Sequence, residues 1–194
     1  MNSNSQKSAM KKAPVNVNLA ITWMLLGVFG VGTVEYLVAG VLPQISNDVA
    51  VTEATAGLLV TVYALTVVIG GPVLTIITAH VRRNLLILIL MALFIGGNFL
   101  TVLAPNFFIL VIARVMTALP HATFFALCLV LATTLVEPEF QGRVISRIAL
   151  GLNLATVLGV PLGTLIGNQY GWRSSFLIIE GLQTIITIEL VLTT

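Results

Sequence analysis

Six apolar runs divide the chain, and the polar residues between them form short breaks. About 20 apolar residues wound as a helix cross a hydrocarbon layer roughly 30 Å thick. Runs of that kind predict membrane spans over residues 19–43, 54–79, 85–103, 107–136, 148–167 and 176–193. The first run is too long for a signal-peptide core, which predicts a retained span. Gly70-Gly71-Pro72 predicts a break in the second span and Pro120 a kink in the fourth. The predicted fold class is an all-α membrane protein of six transmembrane helices. A polar tail over residues 1–18 precedes the bundle at 19–194, and 46–53 and 137–147 read as loops.

Composition sharpens this picture. The chain is 58% hydrophobic and 8% charged, with a mean hydropathy of +1.08, so almost nothing is left for a soluble domain and any site must lie within the membrane. The charges sort by side. Lys7, Lys11, Lys12, Arg82, Arg83, Arg143 and Arg147 fall on one face of the predicted membrane, and Arg173, Asp48 and Glu53 on the other. By the positive-inside rule the basic side, with both termini, is cytoplasmic. The net charge of +2 is thus a topology signal rather than a sign of a nucleic-acid partner. Cys128 is the single cysteine, so no disulfide and no cysteine-based metal site is expected within the chain, and no cofactor is implied.

Candidate chemistry comes from the charges left inside the spans. Arg114 is an ionisable group at membrane depth, where it costs about 2.5–3.5 kcal/mol on insertion scales and marks either a pathway or an internal clamp. At about 100° per residue, Arg114, Thr117 and His121 share a helix face. Glu35 lies roughly 12 Å from the outer end of the first helix and Arg114 roughly 10 Å from the outer end of the fourth. Their matched depth predicts a Glu35–Arg114 pair or water-bridged relay, with His121 about 10 Å deeper. Burial and a neighbouring cation pull on a carboxyl in opposite directions, so substrate occupancy would switch Glu35 between protonated and ionised states. Glu180 and Glu189, nearer the ends of their helix, are expected to reach interfacial water. On the fifth span Gly151, Ala155, Gly159, Gly163 and Gly167 recur every four residues, a small-residue stripe for close helix packing.

Four segments carry a family resemblance. Gly32-Thr-Val-Glu-Tyr-Leu-Val-Ala-Gly-Val-Leu-Pro43, Ala113-Arg-Val-Met-Thr-Ala-Leu-Pro-His-Ala122, Leu158-Gly-Val-Pro-Leu-Gly163 and Gly171-Trp-Arg-Ser-Ser-Phe176 resemble motifs of the major facilitator superfamily. Within it they resemble the twelve-helix drug:proton antiporters and sugar-efflux permeases, N-terminal half only. The resemblance implies a 3+3 inverted repeat and a cavity lined by the first and fourth helices that opens alternately to either side. It also implies a buried motif arginine at Arg114, a first-helix acid at Glu35, and an antiporter motif at Gly159, Pro161 and Gly163. The pattern departs in two places: only Arg82 and Arg83 match the family's turn after the second helix, with Thr78 where an aspartate would fall, and Ala118 replaces a glycine.

The expected function is efflux of a small organic solute, drug or sugar-like, in exchange for protons across a bacterial inner membrane. Lipid, solute and protons are the expected partners. The family has two six-helix bundles and this chain supplies one, so the rival expectation is a non-transporting half-bundle or fragment that needs a second half or a homodimer. An intramembrane protease is disfavoured because no Gly-x-Ser-Gly nucleophile occurs. A self-contained ATP-driven pump lacks its phosphate-binding loop.

Overall fold

The structure, a computed structural model, describes residues 16–193; Lys7, Lys11 and Lys12 lie outside the described residues. Helices α1 (Val17–Gly40), α2 (Leu42–Asp48), α3 (Glu53–Thr78), α4 (Arg83–Leu103) and α5 (Phe107–Thr134) are followed by a 3₁₀ turn at Pro138–Phe140. The chain continues through α6 (Gln141–Leu154), a π-helical turn at Ala155–Gly159, α7 (Val160–Tyr170) and α8 (Trp172–Thr193). Six stretches are long and apolar enough to cross a membrane: α1, α3, α4, α5, the run Pro138–Tyr170, and α8. No strand occurs among the described residues, as expected where each segment must satisfy its own backbone hydrogen bonds.

Several boundaries differ from the sequence expectation. Pro43 supplies the fixed φ of a first helical turn, so α2 takes residues 42–48 out of the anticipated loop and first span. The 137–147 segment is mostly helix rather than loop, which lengthens the fifth span toward its start. Helices α3 and α5 run unbroken through Pro72 and Pro120. At residue 171 the chain breaks for a single glycine with φ +87°, a conformation that disfavours any side chain, and α8 starts at once with Trp172. Capping explains three of the starts: Asn16, Thr52 and Asn106 accept from the backbone N–H groups of Leu19, Thr55 and Ile109 at 3.3, 3.1 and 3.1 Å.

The packing has a two-fold logic. Helix α3 lies along α5 as α6 and α7 lie along α1, α4 packs on α5 as α8 packs on α1, and α4 and α8 pack on each other. Exchanging the first three spans with the last three leaves these pairings unchanged, which is the 3+3 inverted repeat of a half-bundle.

Arg173 ties the end of the bundle that holds the 48–53 and 104–106 connections. Its Nε and Nη2 donate to the carbonyls of Val102 and Ala104 at 2.9 and 2.8 Å, Nη1 pairs with Asp48, and the guanidinium stacks over Trp172 at 4.3 Å. Substituting Arg173 by alanine orphans two part-buried carbonyls, and a loss of about 1–3 kcal/mol is expected. Asp48→Asn, at a partly exposed pair, should cost under about 1 kcal/mol. Reversible unfolding of the two variants in detergent measures this difference, and equal losses would show that the ion pair, not the carbonyl clamp, is the stabilising contact.

Candidate functional site

The buried charges converge where α1, α3 and α5 meet. Arg114 is 1% exposed and is among the bulkiest fully buried side chains of the described residues. One turn of α5 further, Thr117 bonds back to the carbonyls of Ala113 and Arg114. Gly97 of α4 packs so closely here that a Cβ on it would come within 2.7 Å of Thr117 Cγ2. This close approach excludes lipid from that side of the arginine.

Arg114 reaches across to α1. Its Nη1 and Nη2 donate to the carbonyls of Val34 and Glu35 at 3.3 and 3.2 Å, and its guanidinium carbon sits 4.0 Å from the centre of the Tyr63 ring. The contact on Glu35 is thus to its backbone, although the guanidinium field still acts on its carboxylate. The carboxylate meets His121 instead: Glu35 Oε2 lies 3.6 Å from His121 Nδ1. The expectation that His121 would sit about 10 Å beyond the acid is therefore corrected. Depth along an axis measures backbone positions, and two long side chains reaching toward each other close that gap.

Tyr63 of α3 was not singled out in the sequence. It is 1% exposed, its hydroxyl lies 2.8 Å from the same Nδ1, and its ring meets the imidazole edge-on at 5.9 Å. The one available signal was a hydroxyl-bearing aromatic in the middle of an apolar span, where a buried Tyr O–H needs a partner. When neutral His121 carries its proton on Nε2, Tyr63 donates to Nδ1; when the imidazole is protonated, Nδ1 becomes a donor. At 3.6 Å the carboxylate and the imidazole stand beyond hydrogen-bond distance and attract as an ion pair when the ring is protonated, while Tyr63 orients the ring. Phenylalanine at position 63 removes the hydroxyl and should cost about 1–3 kcal/mol. Thermal unfolding in detergent checks it, and an unchanged midpoint would mean that water takes over the hydroxyl's place.

Gly159 and Gly163 lie apart from these charges, on the seam between α1 and the fifth span, while Pro161 is exposed on another face. A Cβ on Gly159 would overlap the Thr33 hydroxyl, one on Gly163 would come within 2.7 Å of Leu37 Cδ1, and one on Gly167 within 2.9 Å of Val41 Cγ1. Each step of four along the stripe meets a step of four along α1, as for two parallel helices in close register. Pro161 has no N–H to give to Val157. The preceding turn widens, with Val160 N–H reaching Ala155 O, which is the π turn at Ala155–Gly159.

Arg82 and Arg83 are exposed and form no ion pair among the described residues. Thr78, in the aspartate's place, turns its hydroxyl back to Leu74 O at 2.7 Å. A recess of about 220 Å³ beside Arg83, lined by Thr75, Thr78, Thr123 and Leu127 among others, holds none of Glu35, Arg114 or His121. The expectation that Glu180 reaches interfacial water is corrected: α8 begins four residues earlier than predicted, and Glu180 lies on its packed face, only 7% exposed. Glu189 is half-buried.

Comparison with known proteins decides the family, since the model of the Major Facilitator Superfamily matches residues 24–193. The chain belongs to the Major Facilitator Superfamily. Among superfamily relatives it is similar to the inner membrane transport protein YdhP of Escherichia coli K12, 36% identical over 91% of this chain and 45% of that protein. The uncharacterized MFS-type transporter YfhI of Bacillus subtilis is 40% identical over 88% of this chain and 43% of its own length. A protein named probable sugar efflux transporter in Helicobacter pylori G27 is 35% identical over 84% of this chain and 42% of its own. These relatives are named as transport proteins rather than enzymes. The chain spans less than half the length of each, which is the share one six-helix bundle makes of a major facilitator transporter built from two.

Proposed function

We propose that this chain forms the N-terminal bundle of a secondary transporter that exports a small organic solute in exchange for protons. The reading rests on one observation: Glu35, His121, Tyr63 and Arg114 meet inside the membrane on α1, α3 and α5. Intramembrane ionisable groups are costly and are kept for pathways and proton relays. A proton passing between Glu35 and His121 would need a bridging water or a side-chain rotation to close the 3.6 Å between them, and the fixed charge of Arg114 beside them biases which group holds it. An anionic or polar group of a solute drawing on Arg114 would weaken that bias and release or bind the proton. Alternating access would follow from rocking against a second bundle, with the α1–α7 glycine seam as a close-packed rigid edge. The basic end of the bundle, with Arg82, Arg83, Arg143 and Arg147, is assigned to the cytoplasm of a cell with the transporter in its inner membrane. Lipid covers the outer apolar faces.

The test pairs this chain with a second six-helix bundle, reconstituted in vesicles with an imposed pH gradient and a panel of sugars and drugs. Solute movement against its gradient is expected in the native protein, with Glu35→Gln uncoupling it from the pH gradient. Unchanged transport and pH dependence in Glu35→Gln would sink the proton role. A second reading, a half-bundle that does not transport by itself, is favoured by the 45% coverage of its relative. Solute transport by vesicles holding only the 194-residue chain would remove it.

A further inference from the structure

A second buried polar cluster, unused by the Arg114 site, lies where α8 packs against α4 and α1. Glu180 is buried and neither of its carboxyl oxygens has a hydrogen-bond partner. Asn98 of α4, 1% exposed, is the polar group that acts on this carboxyl, yet both of its amide atoms also lack a partner within hydrogen-bond distance. One turn along α8, Gln183 is 0% exposed. Its Nε2 donates to Gly27 O at 3.3 Å and lies 3.4 Å from Met91 Sδ, while its Oε1 is unpartnered. That oxygen presses against Gly30, where any Cβ would overlap it. Three side chains thus leave five polar atoms unpartnered in one seam. Native interiors hold few such atoms, because each costs about 1–3 kcal/mol and an unpaired charge far more.

An ionised Glu180 would need a cation, and the packed elements supply none. Helix α4 carries Arg83 at its far start, α1 carries Glu35 and Tyr36, and α7 carries Tyr170. On α8 itself Arg173 is held by Val102, Ala104 and Asp48, and Glu189 is an acid. A carboxylic acid, by contrast, has one O–H to give and one carbonyl to receive, and a primary amide offers the matching acceptor and donor. Asn98 is such an amide. A carboxylate would take only an N–H of the amide, leaving Asn98 Oδ1 and its own second oxygen unpaired.

We propose that Glu180 takes up a proton from solution, so that Glu180 and Asn98 form a second proton-binding site on the α4–α8 seam. On protonation the two side chains close on each other, the O–H donating to Asn98 Oδ1 and Asn98 Nδ2 donating to the carboxyl carbonyl. The proton enters from water and returns to it, so no other reactant is needed. The same oxygens could instead hold a sodium ion in place of the proton, and the two sources separate experimentally. The site stands whether or not the chain exports a solute.

The test is infrared spectroscopy of the purified 194-residue chain in lipid at pH 7, comparing water with heavy water. A protonated carboxyl gives a carbonyl band that shifts on exchange. The band is expected in the native chain and in Glu35→Gln, to vanish in Glu180→Gln, and to move in frequency in Asn98→Ser. A band unaffected by Glu180→Gln overturns the assignment. So does absence of the band: with a sodium-dependent rise in Tm that Glu180→Gln removes, the ion is sodium, and without one the carboxyl is ionised and unoccupied. Should Glu180→Gln fail to fold, Asn98→Ser decides, and a band that does not move overturns the pairing.

Discussion

Arg114→Met is expected to destabilise the bundle by about 3–5 kcal/mol, the cost of losing two charge-assisted hydrogen bonds of about 1.5–3 kcal/mol each. Two effects combine. The carbonyls of Val34 and Glu35 lose their cross-helix donors, and the Tyr63 ring loses the cation packed on its face. Lysine at 114 should recover only part, since one ammonium on a flexible stem cannot bridge two adjacent carbonyls and stack as a planar guanidinium does. Unfolding free energies in detergent measure the series. A double-mutant cycle with Glu35→Gln then apportions the loss. If adding Glu35→Gln restores stability to Arg114→Met, unbalanced charge was the main cost; if it restores nothing, the carbonyl clamp was. Wild-type stability in Arg114→Met would refute a structural role altogether.

The second large effect is expected from a single methyl group. A Cβ on Gly151 would come within 2.6 Å of Leu25 O and 3.1 Å of Phe29 N, both backbone atoms of α1 that cannot turn aside. Gly151→Ala must therefore push α6 off α1, and overpacking of this kind costs about 1–3 kcal/mol, with leucine costing more. The control is built into the same chain. Nothing lies within 4 Å of a Cβ placed on Gly181, and alanine there should stabilise α8 by up to about 1 kcal/mol through helix propensity. Opposite changes in Tm for the two alanines are the expected result. A tolerated Gly151→Ala would mean that the two helices slide freely along their seam, and the close register would then have no energetic meaning.

The number and type of the spans were legible because hydropathy over about 20 residues is a local property and lipid permits a helix or a closed barrel. The stripe from Gly151 to Gly167 was legible for a similar reason: a repeat of four on a helix always presents one face, and a face without side chains admits a neighbour's backbone. Ends were less legible. Pro43 and Gly171 act as punctuation of one residue each, and hydropathy averaged along a run blurs them, which is why α2 and the first four residues of α8 went unseen. Glu180 is buried because of the face of α8 it occupies, while Leu177 and Ile178 at similar depth are exposed, and distance from the helix end does not give that face.

The sequence by itself determined which costly groups lie at membrane depth, because every residue's distance from a helix end follows from a rise of 1.5 Å per residue. It could not determine which of them touch. Arg114 faces a backbone, and His121 faces both Glu35 and Tyr63. Those pairings depend on the rotation of each helix about its axis and on the reach of flexible side chains across seams. The packing of glycine against backbone sets both, and it involves residues far apart along the chain.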